Sequence, residues 1–182
     1  MSSSSLDNRK VVLLAGAEGP EQAKVEVTWK AACMSELIKQ MLQDDGDEDE
    51  VPEIPLLEVS KDILEKVVLF LNKHRDDPMK KIEKPIKTAN MSEIVDKWDA
   101  DFIELDQEPL FKLILAANYL DIPDLLDLGI TKFCTMIKDK DANEVKKLLN
   151  IDPSITPEEE RLVREKNDWI FEVHKQTPQE GA

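Results

Sequence analysis

The stretch LFKLILAANYLDIPDLL, Leu110–Leu126, decides how the rest of the chain is read. Apolar residues at Leu110, Phe111, Leu113, Ile114, Leu115, Ala116, Ala117 and Leu120 leave almost no polar face. A helix that is apolar all round is either a membrane span or covered on most sides. This one falls short of the roughly 20 residues a span needs, and Asn118 and Tyr119 interrupt it. Its cover must come from the rest of the chain or from a partner.

Downstream the pattern stays helical. Asp106 stands where an N-cap is expected and Pro109 falls in the first turn, where its missing N–H costs nothing. A second helix is predicted over Ile122–Lys140, with Pro123 near its start and Leu125, Leu126, Leu128, Ile130, Phe133, Met136 and Ile137 along it. Gly129 sits inside that helix at a cost of about 1 kcal/mol against Ala, which points to close packing. Two shorter helices follow. Asp141–Asn150 has Asp141 as cap and Val145, Leu148 and Leu149 as a stripe. Thr156–Val173 opens with a capping box of Thr156, Pro157 and Glu159. Its apolar residues are sparse (Leu162, Val163, Trp169, Ile170, Phe171). Trp169 therefore reads as an anchor for a partner's helix, or as folded back on the helix ending at Ile137.

Upstream, KVVLLAG (Lys10–Gly16) and KVEVTW (Lys24–Trp29) read as a strand hairpin, and Ala32–Gln43 as an amphipathic helix. Seven acids and no base lie between Asp44 and Glu53, a run that cannot bury itself. IPLLEV (Ile54–Val59) reads as a third strand, at an edge because of Pro55. Ser60–Arg75 is a capped helix with Ile63, Leu64, Val67, Val68 and Leu71 on one stripe. Asp76–Asn90 holds two prolines and four lysines without periodicity, and is expected to be a mobile loop.

Composition narrows the function. Of 182 residues 41% are hydrophobic, enough for one core, and 39 acids against 24 bases give a net charge of -15. That sign argues against nucleic acid and anionic membrane as ligands. The start MSSSSLDNRK has no apolar core of a signal peptide. Cys33 and Cys134 lack metal or redox spacing and read as reduced thiols, which favours cytosol and nucleus. There is no GxGxxG and no GxxxxGK[ST], and His74 and His174 have no HExxH-like context. No catalytic site, metal or cofactor is expected; the chain reads as a binding module.

The segment WDADFIELDQEPLFKLILAANYLDIPDLLDL, Trp98–Leu128, strongly resembles the S-phase kinase-associated adaptor family of SCF-type cullin–RING ubiquitin ligases. Thr131–Glu172, with PEEE and VREKNDW, continues the match, and IPLLEV and HRDDP (His74–Pro78) fit it too. The resemblance implies an α+β fold of the BTB/POZ type: a small three-stranded sheet with helices, followed by F-box-binding helices. It divides the chain into a disordered 1–9, a BTB/POZ-like 10–138 with mobile loops near 44–53 and 76–97, helices in 139–173 and a disordered 174–182. The implied role is to bridge a cullin to F-box proteins, reaching the RING protein and the ubiquitin-conjugating enzyme only indirectly. Carried over by motif, Asn118, Tyr119, Pro55 and Leu56 face the cullin. Leu126, Leu149, Ile151, Ile155, Asn167, Trp169 and Ile170 face the F-box. Three features depart from the family pattern: the basic linker, a slightly longer segment around Val25–Leu42, and Ile170–Phe171 after Trp169. Two alternatives are an F-box-binding subunit of a non-ligase assembly, such as a kinetochore, and an elongin C-like adaptor. The latter ends before the helices that start at Asp141.

Overall fold

The structure is a computed structural model that describes residues 9–16, 23–44, 51–150 and 156–166. Strand β1 (Lys10–Ala15) pairs antiparallel with β2 (Ala23–Thr28) and parallel with β3 (Glu53–Leu56), giving the order β2-β1-β3. Two-residue alternation puts Val11, Leu13 and Ala15 on the core face, beside Val27, Ile54 and Leu56. Strand β3 is shorter than the expected Ile54–Val59. The Val59 N–H turns back to the Leu56 carbonyl at 3.2 Å, and the Gly16 N–H reaches the Val59 carbonyl at 3.0 Å. The chain therefore bends after Leu56 and drops Val59 into the core, 2% exposed.

The helix expected over Ala32–Gln43 is two helices, α1 (Trp29–Ala32) and α2 (Glu36–Asp44). Ser35 makes the break. Its Oγ accepts the Ile38 N–H at 3.1 Å and donates to the Leu120 carbonyl. A serine at an N-cap satisfies a free helix N–H and competes with helix continuation. Ser35 is fully buried, and the Glu36 N–H adds a bond to the Asp121 carbonyl at 3.2 Å.

Helix α3 (Lys61–His74) buries Ile63, Leu64, Val67, Val68, Phe70, Leu71 and His74 and packs on β2 and α1. A short 3-10 turn (Met91–Glu93) and α4 (Lys97–Phe102) come next. Helices α5 (Gln107–Tyr119) and α6 (Pro123–Ile137) form an antiparallel hairpin, with α5 also against α3. Each fully buried Leu, Ile or Phe contributes about 1.5–3 kcal/mol, and these side chains come from the helices (Leu64, Phe70, Leu71, Leu110, Leu113, Leu125) as well as from the sheet (Leu13, Leu56). Gly129 lies where α6 meets α5: a Cβ there would stand 2.6 Å from Ile114 Cγ1, which accounts for a glycine inside a helix.

The segment expected to be a loop over 76–97 has no helix or strand before Met91, but regains structure there. Met91 and Val95 are buried, and the Asn90 side chain accepts the Ser92 N–H at 3.2 Å. The turn is too short to show periodicity in sequence. His74 closes the base of the segment. Its Nδ1 donates to the Asp77 carbonyl at 2.9 Å, and its Nε2 lies 2.8 Å from Asp99 Oδ1. The pair is 5% and 3% exposed and sits against Phe70 and Trp98.

The chain divides into Met1–Lys138 and Asp139–Ala182. The second unit holds α7 (Ala142–Leu148) and α8 (Pro157–Lys166). Both open with capping boxes: Thr156 with Glu159, as expected from sequence, and Asp141, expected only as a cap, with Glu144 reaching back as well. None of their described side chains is buried. The expected continuation of α8 to Val173, the acidic run 45–50 and the two chain ends lie outside the described residues.

Candidate partner interface

Helix α5 answers the puzzle of its sequence by having cover on two sides only. Leu110, Leu113, Ala116 and Ala117 are buried against α3 and α6. The third side is open: Leu115 is 69% exposed and Tyr119 41%, with Lys112 and Asn118 also exposed. Spacings of three and four residues put these side chains on one face. Together with Val59, Ser60 and Ile63 they border a surface depression of about 540 Å³.

The corner that carries Tyr119 is fixed from outside α5. Leu120 accepts from Ser35 and Asp121 from the Glu36 N–H, and Asp121 takes a left-handed φ of 50°. The N-terminus of α2 thus pins the backbone that presents Asn118 and Tyr119. On the rim, Lys112 donates to Glu108 at 2.6 Å. The hydrogen bond and charge of Glu108 raise the lysine pKa, and Lys112 lowers that of Glu108, so both stay ionised at neutral pH.

Asn118 and Tyr119, adjacent at the end of α5, both stand exposed at the edge of this depression. Pro55 is exposed but does not border the depression. Leu56 is a correction: it is fully buried, because alternation along β3 turns Ile54 and Leu56 inward and Pro55 outward. Its side chain belongs to the core, and Leu57, 45% exposed, is the neighbour that faces out. Sequence reasoning missed Leu115, the most exposed large apolar side chain among the described residues. Its spacing of three and four residues from Asn118 and Tyr119 was the signal available.

A second apolar face lies on α6, where Leu126 is half-buried and Ile130, one turn on, is 42% exposed. Ile130 too was missed as a site residue. In the second unit Leu149, at the end of α7, is half-buried. Ile151, Ile155, Asn167, Trp169 and Ile170 lie outside the described residues.

These surfaces are suited to contact rather than catalysis. The His74–Asp99 pair is sealed from solvent. Among the described residues no group of three or more His, Cys, Asp or Glu is arranged to hold a metal ion, and no helix is long and apolar enough to cross a membrane.

Known proteins supply the last observation. A model described as Skp1 family, tetramerisation domain, matches residues 21–76, and one described as Skp1 family, dimerisation domain, matches 123–170. An S-phase kinase-associated protein 1 homolog of Tetrahymena thermophila is 48% identical over 84% of this chain and 91% of its own length. A protein named E3 ubiquitin ligase complex SCF subunit sconC from Arthroderma benhamiae is 39% identical over 88% of this chain and 95% of its own. The sconC protein of Talaromyces stipitatus is 40% identical over 84% and 93%.

Proposed function

Because this chain belongs to the Skp1 family, we propose that it is the non-catalytic adaptor subunit of an SCF-type ubiquitin ligase. It holds a cullin on one surface and F-box proteins on another. The observation that carries this reading is the open third side of α5, where Leu115, Asn118 and Tyr119 stand exposed on a helix otherwise buried. A fixed, partly apolar depression with a tyrosine at its edge suits an interface anchor. The cullin is assigned to Leu115, Asn118 and Tyr119, with Pro55 as a peripheral contact. The F-box is assigned to Leu126 and Ile130 on α6 and to the second unit through Leu149, Ile151, Ile155, Asn167, Trp169 and Ile170. The RING protein and the ubiquitin-conjugating enzyme are reached through the cullin. Cytosol and nucleus are the compartments this role requires.

The test is calorimetry with a cullin N-terminal domain and, separately, with an F-box domain. Asn118→Lys with Tyr119→Ala loses a central anchor and is expected to weaken the cullin at least about 30-fold, since truncating a hot spot costs about 2 kcal/mol or more. F-box affinity and thermal stability are expected to stay unchanged, because both positions are exposed. Leu115→Ala alone is expected to weaken the cullin about tenfold, with the same selectivity. Equal loss of both partners, or retained cullin binding, sinks the two-surface reading.

A further inference from the structure

The adaptor reading assigns the cullin to α5, but the depression beside Tyr119 has a second wall. Ser60, just before α3, and Ile63, in its first turn, line it together with Leu115, Ala116, Asn118 and Tyr119. The apolar part of that lining is largely packed already, since Val59, Ile63 and Ala116 are buried. Ser60 is exposed, and it is the polar side chain that α3 brings to the wall.

Ser60 stands where an N-cap belongs. Its backbone is extended (φ -70°, ψ 156°), and its carbonyl accepts the Leu64 N–H at 2.9 Å. A capping serine would also accept a helix N–H through its hydroxyl. Here the hydroxyl makes no such bond, and it has no hydrogen-bond partner among the described residues. The side chains of Asn118 and Tyr119, on the α5 side, have none among them either. Three uncommitted hydrogen-bonding groups thus bracket an apolar floor, one from α3 and two from α5.

We propose that Ser60 is a specificity-determining residue of the cullin contact, its hydroxyl bonding a polar group of the cullin from the α3 side while Asn118 and Tyr119 act from the α5 side. The inference rests on the adaptor reading and deepens it, giving the contact a second wall and a polar requirement. The partner surface that fits is an apolar side chain flanked on two sides by hydrogen-bonding groups. A wholly apolar surface would cover the floor but leave three polar side chains buried and unpaired, each at its full desolvation cost. A site built to hydrogen-bond rejects a partner lacking those groups far better than apolar fit alone does. Stability does not compete for the hydroxyl, because α3 is held by six buried apolar side chains and not by a side-chain cap.

The experiment compares the full chain with Ser60→Ala and Ser60→Thr. Calorimetry measures binding to a cullin N-terminal domain and, separately, to an F-box domain; urea unfolding measures stability. Ser60→Ala is expected to weaken the cullin roughly three- to tenfold, the worth of one neutral hydrogen bond. Its F-box affinity and urea midpoint are expected to match those of the unaltered chain. Ser60→Thr keeps the hydroxyl and is expected to bind the cullin within about twofold of the unaltered chain. An ordinary cap gives the reverse pattern, a lower urea midpoint with full cullin affinity, and that result overturns the proposal. So does a Ser60→Ala chain unchanged in both measurements, or one that loses both partners equally. Equal weakening by Ala and Thr also overturns it, because the effect then belongs to packing and not to the hydroxyl. Failure of the unaltered chain to bind the cullin removes the adaptor reading itself, an outcome distinct from any effect at position 60.

Discussion

Helices α3 and α5 begin with residues able to cap them, yet neither Ser60 nor Asp106 makes a side-chain cap hydrogen bond. Helices α7 and α8 make complete capping boxes, yet bury none of their described side chains. The contrast separates two ways of holding a helix. Six buried apolar side chains on α3, each contributing about 1.5–3 kcal/mol, outweigh a cap of about 0.5–2 kcal/mol. A helix as short as α7, seven residues, is marginal in water, and local devices are what this chain spends on it. The first region is secured by what surrounds its helices, the second by what its own sequence supplies.

The largest expected effect tests burial. His74→Leu leaves Asp99 buried without its partner and is expected to cost about 3–5 kcal/mol in urea unfolding. Leu162→Ala in the second region, at a side chain 46% exposed, is expected to stay within about 0.5 kcal/mol. His74→Leu combined with Asp99→Leu is expected to recover most of the loss. A small effect of the single substitution would show that burial does not hold the first region.

Gly129→Ala sharpens the same point. Helix propensity favours the change by about 1 kcal/mol, but overpacking against Ile114 costs about 1–3 kcal/mol. Net destabilisation is expected. In an Ile114→Ala background the same substitution is expected to turn neutral or stabilising, which thermal denaturation of the four chains resolves.

The smallest effects fall on the caps. Asp141→Ala is expected to speed amide exchange over Val145–Leu149 by the equivalent of about 0.5–2 kcal/mol, whereas Asp106→Ala leaves α5 unchanged. The second cap depends on pH. The Thr156 backbone N–H and hydroxyl lower the Glu159 pKa below its ordinary 4.5. A carboxylate depressed in the folded state stabilises above its unfolded pKa and loses that contribution as pH falls through the depressed one. Exchange in the first turn of α8 is therefore expected to quicken as pH drops below about 4.5, and Glu159→Gln is expected to remove the dependence.

The contrast also explains what the sequence could tell. The stripe of α3 was legible because burial imposes a period on it, α5 and α6 because their apolar residues are dense, and the caps of α7 and α8 because Asp141 and the Thr156–Glu159 box are local signals. The break at Ser35 was not legible. It depends on a hydrogen bond to Leu120, 85 residues away. Leu56 was misread for a simpler reason: motif position names a strand, while the pleat decides which way each residue points. Asn118 and Tyr119 came from the family resemblance, and Leu115 emerged only once two sides of α5 were seen to be covered. Ile130 went unnoticed for the same reason, since an apolar residue on a helix announces burial until the structure shows an open side.

A sheet of three strands has two rims, and an unpaired rim invites any passing chain to add itself. On β3 the bonds to β1 use the Pro52 and Leu56 carbonyls, so by alternation the Pro55 nitrogen faces the free rim. Proline has no hydrogen there to offer. Strand β3 is also only four residues long, and β2 carries Lys24 and Glu26, paired at 2.6 Å to Glu53 and Lys10. Charge, brevity and one missing hydrogen thus discourage self-templating, the route by which a small sheet would seed aggregates. Any other residue at position 55 would restore an outward donor. The depression on α5 thus stays open while the sheet rim at β3 is closed to added strands.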